Sequence, residues 1–235
     1  MPDEFFVGYL PMPKATARRM RRVAVTLVVL GAALATALAI ATGPFDHAAY
    51  EYARERAWRG TLEAQPVPVL VDADGNAFPL VAQGKHGAAP SIAANLGAHV
   101  ALRGRRIVRE GTTMIELVPG TIETLTAALP AASKVDDLGP ARLSGEIVDS
   151  KCFLGVMNPG RLEVHRACAK RCIAGGIPPM LFTHDENGRE LHVLLVDADG
   201  RSVNDRVLPL VARPVTLDGR LERRDGLLYL YVSGW

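Results

Sequence analysis

The chain has 235 residues, a length that suits one large domain or two small ones. Hydrophobic residues make up 49% and charged residues 22%, so a core can form and wholesale disorder is excluded. The first 22 residues hold five basic and two acidic side chains (net +3), which leaves 22 basic and 23 acidic for the rest (net −1). A near-neutral body argues against nucleic-acid binding, and three cysteines are too few for a disulfide-rich mini-protein.

Residues 23–45 contain no charged side chain. Twenty helical residues span about 30 Å, the thickness of a bilayer's hydrocarbon core, so we predict a transmembrane helix over 23–42. The apolar stretch is longer than the roughly 7–15 residues of a cleavable signal peptide, although cleavage remains an open alternative. The basic cluster at 18–22 predicts a cytoplasmic tail over 1–22 and a periplasmic C-terminal body, anchored by one helix in the inner (plasma) membrane of a bacterium.

The anchor is followed by a segment rich in aromatic and charged side chains. Gly43-Pro44 should end or kink the helix. Phe45, Tyr50 and Trp58 alternate with charged residues, a composition typical of the interface between membrane and water. We therefore predict a juxtamembrane amphipathic segment over 43–58.

The remaining sequence contains an internal duplication. Three short motifs occur in both halves: LVDADG at 70–75 and 195–200, a Pro-Leu-Val-Ala motif at 78–82 and 208–212, and VALRGR or VTLDGR at 100–105 and 215–220. Repetition in a fixed order indicates two similar units. The DADG runs resemble the start of a calcium loop, but no glutamate follows where such a loop needs one, so we predict hairpin turns.

Each half combines short strands of alternating polarity with Asp-Gly or Asn-Gly turns, which predicts a mainly β fold. Five strands and one interrupting helix per half suggest an OB-like barrel. The predicted architecture is an N-terminal transmembrane helix followed by two tandem OB-like small β-barrels. The first covers 59–120 and begins with a strand at Arg59–Ala64; a linker covers 121–142; the second covers 143–235 and begins with a strand at Leu143–Asp149.

All three cysteines lie in a helical insertion that only the second half contains. We predict a helix over Arg161–Ala174, ended by Gly175-Gly176, with His165, Cys168 and Cys172 on one face. Cys152 would reach this face from the end of the preceding strand. The spacing C-x12-H-x2-C-x3-C suits a Cys3His site for zinc or another thiophilic metal ion. We predict these four residues as the metal ligands, with Asp149 either orienting the histidine or capping the turn.

Two other uses of the cysteines remain open. A disulfide between Cys152 and either Cys168 or Cys172 would suit an oxidising compartment and would leave one free thiol, as in a non-catalytic interaction scaffold. Thiol–disulfide redox chemistry at Cys168 and Cys172 would instead make the protein an enzyme. The sequence has no G-x-S-x-G elbow and no C-x-x-C-H haem motif, so we predict no catalytic residue and favour a non-enzymatic protein. His86, His184 and His192 are predicted to be solvated.

Three runs in the insertion resemble a known group: GEIVDSKC at 145–152, HRACAKRC at 165–172 and GGIPP at 175–179. They are similar to poorly characterised bacterial membrane-anchored exported proteins that have OB-like barrels and a D-x-x-C…H-x-x-C-x-x-x-C…G insertion. The resemblance covers about residues 143–182 and implies an exported barrel with no settled activity. The layout also resembles the haem chaperone of cytochrome c maturation, but the haem-attaching histidine motif of that family is missing here.

These observations predict a membrane-anchored periplasmic accessory protein with a metal site. We expect it to be a subunit or assembly factor of a membrane or periplasmic electron-transfer enzyme. Its partner would be a membrane-embedded or periplasmic protein, such as a respiratory or redox complex, and not a nucleic acid.

Overall fold

A computed structural model describes Gly8 and residues 11–41, 48–126 and 133–235. The chain divides into two compact units, Met1–Phe45 and Asp46–Trp235. The first unit contains the helix α1 (Lys14–Ala41), none of whose residues is buried. In the described part of the chain, α1 is the one helix long and apolar enough to be a candidate membrane span. It includes the basic cluster at 18–22, and the predicted stop at Gly43-Pro44 lies outside the described residues.

The second unit begins with six strands: β1 (Ala48–Glu63), β2 (Val69–Val71), β3 (Ala77–Val81), β4 (His99–Arg109), β5 (Thr112–Leu117) and β6 (Glu123–Thr124). Because β1 pairs with both β2 and β4, the pairings β1-β2-β3-β5-β4 form a ring, to which the short β6 is added. A helix α2 (Ala89–Ile92) and a 3₁₀ turn (Ala93–Asn95) connect β3 to β4, where the sequence predicts one helix.

The rest of the chain consists of β7 (Val135–Asp149), α3 (Arg166–Ala174), β8 (Pro179–His184), β9 (Glu190–Asp197), α4 (Asn204–Val207), β10 (Pro214–Arg224) and β11 (Leu227–Gly234). The five strands form a closed barrel in the order β7-β8-β9-β11-β10. This order matches the first ring strand for strand, and in both rings the third and fifth strands pair in parallel. The prediction of a mainly β protein, with an apolar N-terminal helix followed by two OB-like units, is confirmed.

The repeated LVDADG motifs do not lie at equivalent positions in the two rings. The first LVDADG copy forms the β2–β3 hairpin, whereas the second forms the end of β9, the counterpart of β3, and the turn after it. The true counterpart of the first hairpin is the turn at 185–189, where the Asp185 carboxylate accepts backbone N–H groups from Asn187 and Arg189, as Asp72 does in its own turn. Aspartate favours such turns wherever they occur, so the motif indicates a turn type rather than a position in the fold.

Both rings begin earlier along the chain than predicted. Residues 48–58, predicted as a juxtamembrane segment, belong to β1, and β7 begins at Val135 inside the predicted linker. Trp58 packs on Phe78, with their ring centroids 5.3 Å apart. The alternating apolar signal is missing here because the exposed starts of both strands carry many charged side chains.

One hydrophobic core joins the two rings. It includes Ile107 and Met114 from the first and Phe182 from the second, with Phe153 of the insertion between them. Arg109 of β4 donates two hydrogen bonds, of 2.9 and 3.1 Å, to the Glu190 carboxylate of β9. The two rings therefore form one packed unit, and the insertion lies within their shared core.

His192, predicted to be solvated, is buried at the junction between the rings. Its Nδ1 lies 2.8 Å from Thr112 Oγ1, and burial lowers the pKa of the imidazole below its ordinary 6.5. The unfolded chain therefore binds a proton at a higher pH than the folded protein does, so stability falls as the pH drops below about 6.5.

We expect the midpoint of urea denaturation to decrease from pH 7.5 to pH 5.5, and to decrease less in H192Q, whose amide does not titrate. If the urea midpoint changed equally with pH in the wild type and in H192Q, His192 would not be the source of the pH dependence. The exposed His184 provides the control, since H184Q should reproduce the wild-type slope.

Candidate metal centre

Cys152 is held at the start of the insertion by the end of β7. The Asp149 carboxylate accepts the backbone N–H of Cys152 at 2.8 Å, and the Ser150 hydroxyl donates to the carbonyl of Pro178 at 2.7 Å. These bonds hold the start of a tight π-helical turn over Cys152–Val156, which the Met157 N–H closes by donating to the Cys152 carbonyl at 3.1 Å. The thiol is consequently fixed and buried, with the residue 4% exposed.

The other two cysteines project from one face of α3. They lie four residues apart, the spacing that places side chains on the same side of a helix. The helix begins at Arg166 rather than at the predicted Arg161, because Leu162 adopts a left-handed conformation (φ 67°) and Glu163–His165 form a 3₁₀ turn. Its end is as predicted, with the Gly175 backbone N–H capping the last carbonyls.

The three cysteine sulfurs converge on one place. All lie within 4.8 Å of one another, and the Sγ atoms of Cys152 and Cys172 are 4.0 Å apart. All three thiols are free, with no disulfide. Tetrahedral zinc–thiolate bonds of about 2.3 Å place neighbouring sulfurs about 3.8 Å apart, so the 4.0 Å between Cys152 and Cys172 is close to the spacing at a metal ion.

His165, the fourth predicted ligand, lies close to Cys152 but is grouped with Asp149 rather than with the other two cysteines. Its Nε2 is 3.1 Å from Asp149 Oδ2, and both residues are buried. Asp149, Cys152 and His165 form a second close group, but the histidine is not in the group of three cysteines. Asp149 therefore has both of the roles that the sequence left open, since it caps the turn at Cys152 and bonds to the histidine.

The structure also brings Lys85 of the first ring to the cysteines, which the sequence did not predict. Its Nζ lies 2.7 Å from Cys168 Sγ and 3.7 Å from Cys172 Sγ. Lys85 lies on the loop after β3. Two residues further along this loop, Gly87 donates its backbone N–H to the Gly175 carbonyl at 2.9 Å. The only sequence signal was the Gly-Lys-His-Gly run, whose glycines permit close backbone approach.

The Lys85 loop is held in place by a buried ion pair. Lys151 Nζ lies 2.5 Å from Glu116 Oε2 and donates to the backbone carbonyls of Ala82 and Gly84 at 2.9 and 2.8 Å. Glu116 also accepts from Tyr50 Oη at 2.5 Å. The residue before Cys152 thus fixes the loop that carries the lysine beside the other two cysteines.

The environment makes the three thiols chemically unequal. A hydrogen bond from the Cys152 thiol, together with the positive charge of Lys85, lowers the pKa of Cys172 to about 7 against the opposing effect of burial. The Cys152 thiol donates that bond and is buried, so its pKa is raised far above the ordinary range. The hydrogen bond to Cys168 raises the pKa of Lys85, which favours its charged form. A metal ion that replaced the Cys152 proton would bind all three sulfurs as thiolates and so remove this difference between the cysteines.

The cysteines line a cavity of about 470 Å³ between the two rings. Three cationic side chains and one carboxylate also line it, together with tyrosines and Met157 at its wall. The charged residues are Lys85, Arg105, Lys151 and Glu116. The site is therefore open to a small molecule rather than enclosed by protein.

The close backbone contact at Gly175 gives a test of this architecture. A β-carbon there would overlap the carbonyl oxygen of Lys85. We expect G175A to lose about 1–3 kcal/mol in the free energy of unfolding, because the loop must move away from α3. Urea denaturation measures the loss. In G234A the new methyl group would have ordinary contacts only, so this control should be close to wild type; equal stability of the two variants would contradict the contact.

No protein-family model matches the chain, and searches of curated proteins and of solved structures find no match either. The function therefore has to be inferred from the site itself.

Proposed function

We propose that the chain is a membrane-anchored metal-binding protein whose three cysteines hold one thiophilic metal ion. The observation that carries the proposal is the convergence of three free sulfurs, from two separate segments, within 4.8 Å of one another. Three soft thiolates favour zinc or Cu(I) over the hard cations magnesium and calcium. His165 supports the site through Asp149, which in turn holds the backbone of Cys152.

We further propose that α1 anchors the protein in the inner membrane, with the N-terminus in the cytoplasm and both rings in the periplasm. The basic residues at 18–22 support this orientation. In this setting the protein would serve a membrane or periplasmic electron-transfer enzyme, as a subunit or assembly factor. Crosslinking in intact cells, followed by mass spectrometry, should recover such an enzyme; recovery of cytoplasmic proteins alone by the ring domains would contradict the orientation.

The metal proposal is tested on the full-length protein, purified anaerobically from membranes in detergent. We expect elemental analysis to find one metal ion per chain and the three thiols to react with a thiol reagent only after a chelator is added. Metal-free protein with three reactive thiols would overturn the proposal. Mass spectrometry of the unreduced protein separates the scaffold alternative, which predicts one disulfide and one free thiol.

A thiol–disulfide exchange protein is the second candidate, favoured by the lowered pKa of Cys172 and its 4.0 Å distance from Cys152. This geometry changes the redox pair from the predicted Cys168 and Cys172 to Cys152 and Cys172. Cys172 would attack an external disulfide, releasing one of its two thiols and forming a mixed disulfide with the other. Cys152 would then attack Cys172 Sγ, releasing the second thiol and leaving an internal Cys152–Cys172 disulfide. Metal-free protein in which iodoacetamide modifies Cys172 much faster than Cys168 would support this candidate over metal binding.

A further inference from the structure

The insertion between β7 and β8 carries an excess of positive charge. Of the 22 basic and 23 acidic side chains after residue 22, residues 150–178 hold five basic and one acidic (net +4), which leaves 17 basic and 22 acidic for the rest (net −5). Lys151 is buried in its ion pair with Glu116. The other four basic side chains lie between residues 161 and 171 and determine the charge of this surface.

Nearby carboxylates compensate two of these four charges. Glu163 accepts two hydrogen bonds of 2.8 Å from Arg166, and Glu146 lines the same surface cavity as Arg161. The helix α4, which packs against α3, contributes one acidic and one basic side chain and so adds no net charge. Two basic side chains have no ion-pair partner among the residues that the structure describes: Lys170 and Arg171.

Exposed apolar side chains are concentrated in the same insertion. Three of the eight exposed large apolar side chains described in the second unit lie within eight residues. They are Met157, Leu162 and Val164, which are 47%, 48% and 82% exposed. Single exposed apolar residues are normal on protein surfaces, but a local concentration of them marks a contact surface.

The most exposed apolar side chain lies on the same side of the insertion as the unpaired charges. Val164 belongs to the 3₁₀ turn that leads directly into α3. Val164, Ala167 and Arg171 follow at intervals of three and four residues, which places them on one side of a helical segment. All three are exposed, whereas Ala169 and Cys172 of α3 are buried in the core.

We propose that this insertion face, formed by Leu162, Val164, Lys170 and Arg171, docks on a lipid surface that contains anionic headgroups. The two cations would contact lipid phosphates, while the two apolar side chains enter the boundary between headgroups and acyl chains. A bilayer is favoured over an acidic protein because the same chain carries a candidate membrane span. The inference rests on the membrane anchor of the proposed function.

The anchor makes a small docking face sufficient. Only six residues separate the end of α1 from the start of β1, and a short linker between two binding elements raises the effective concentration of the second. Two cations and two apolar side chains can therefore hold the face on the bilayer without strong binding of their own. Because α3 also carries Cys168 and Cys172, docking would keep the cysteine site beside the membrane.

The experiment uses the full-length protein, reconstituted in vesicles of phosphatidylcholine and phosphatidylglycerol with brominated acyl chains. Both leaflets have the same composition, so either orientation of the chain meets the same lipid. Bromine quenches a tryptophan that reaches the acyl chains. After subtraction of the wild-type signal, we expect the added tryptophan of V164W to be quenched at least about twofold more than that of L138W. Leu138 is the matched control because it is an exposed apolar residue outside the insertion.

Charge reversal and salt test the electrostatic part of the proposal. Adding K170E/R171E to V164W should remove most of the quenching, whereas K134E/R223E, which reverses two exposed charges elsewhere, should leave it unchanged. Quenching should also decrease as the salt concentration rises, because salt screens exposed charges. The salt series needs no change in α3, so it stays informative if the reversed variant folds poorly.

The outcomes separate docking from anchoring. Protein that a carbonate wash removes from the vesicles has no membrane anchor, and that result overturns this part of the proposed function. Retained protein with equal quenching in V164W and L138W overturns docking and leaves the anchor intact. Quenching of V164W that is equally strong in vesicles of phosphatidylcholine alone, or that salt does not reduce, overturns the assignment to anionic lipid. An unquenched V164W whose residue 164 crosslinks to a protein in cells would assign the face to a protein partner instead.

Discussion

Replacing Cys168 by serine should lower the affinity for zinc more than about 100-fold, because the loss of a direct ligand should exceed the 10–100-fold effect typical of residues that only support a ligand. Cys168 is the best position for this test since it is only half-buried, whereas Cys152 and Cys172 are 4% and 1% exposed and also pack in the core. Competition with a chromogenic chelator measures the affinity.

The control for this substitution is A167S, which introduces the same side chain at the neighbouring exposed position of α3. It should bind zinc as the wild type does. C168S with wild-type affinity would exclude a three-thiolate site. Circular dichroism and urea denaturation should show that C168S, prepared without metal, is as stable as metal-free wild type, so that a loss of affinity cannot be attributed to unfolding.

Replacing Lys151 by methionine should cost about 3 kcal/mol in the free energy of unfolding, since the buried Glu116 carboxylate loses its nearest charged partner and keeps only the longer pair with Arg105, at 3.3 Å. The side chains of the pair are 3% and 6% exposed. The variant also loses two hydrogen bonds to the Lys85 loop. Urea denaturation of the metal-free protein measures this effect, and metal affinity should decrease as the loop loosens.

Two comparisons make this prediction specific. The double variant K151M/E116Q should recover part of the loss, because glutamine removes the buried charge that has lost its nearest partner. R142M breaks an exposed ion pair with Asp218, whose side chains are 72% and 47% exposed, and should cost about 0–1 kcal/mol. A K151M variant as stable as R142M would show that the buried pair does not hold the two rings together.

The class of fold could be predicted from the sequence because it depends on the regular spacing of apolar residues in helices and strands. The uncharged stretch in α1 and the alternating residues of β10 and β11 correspond to elements that the structure contains. Patterns failed where side chains are neither regularly apolar nor locally paired. The charged start of β1 at 48–58 is a strand because it pairs with β4, and only the fold brings those two segments together.

The candidate site was predictable in its sulfurs but not in its surroundings. The placement of Cys168 and Cys172 on one face follows from helical geometry, and Cys152, just after the end of β7, reaches that face as the sequence predicted. The position of His165 depended on a single left-handed residue, Leu162, which no periodic pattern indicates. Lys85 is 83 residues from Cys168 in sequence, so its contact arises only when the two rings pack together.

The most direct measurement of the metal site is X-ray absorption at the zinc edge, on full-length protein loaded with one equivalent of zinc and free of added thiols. Our account predicts three sulfur neighbours at about 2.3 Å and one lighter atom at about 2.0 Å. A first shell with no more than two sulfurs, or one made entirely of nitrogen and oxygen, would contradict it.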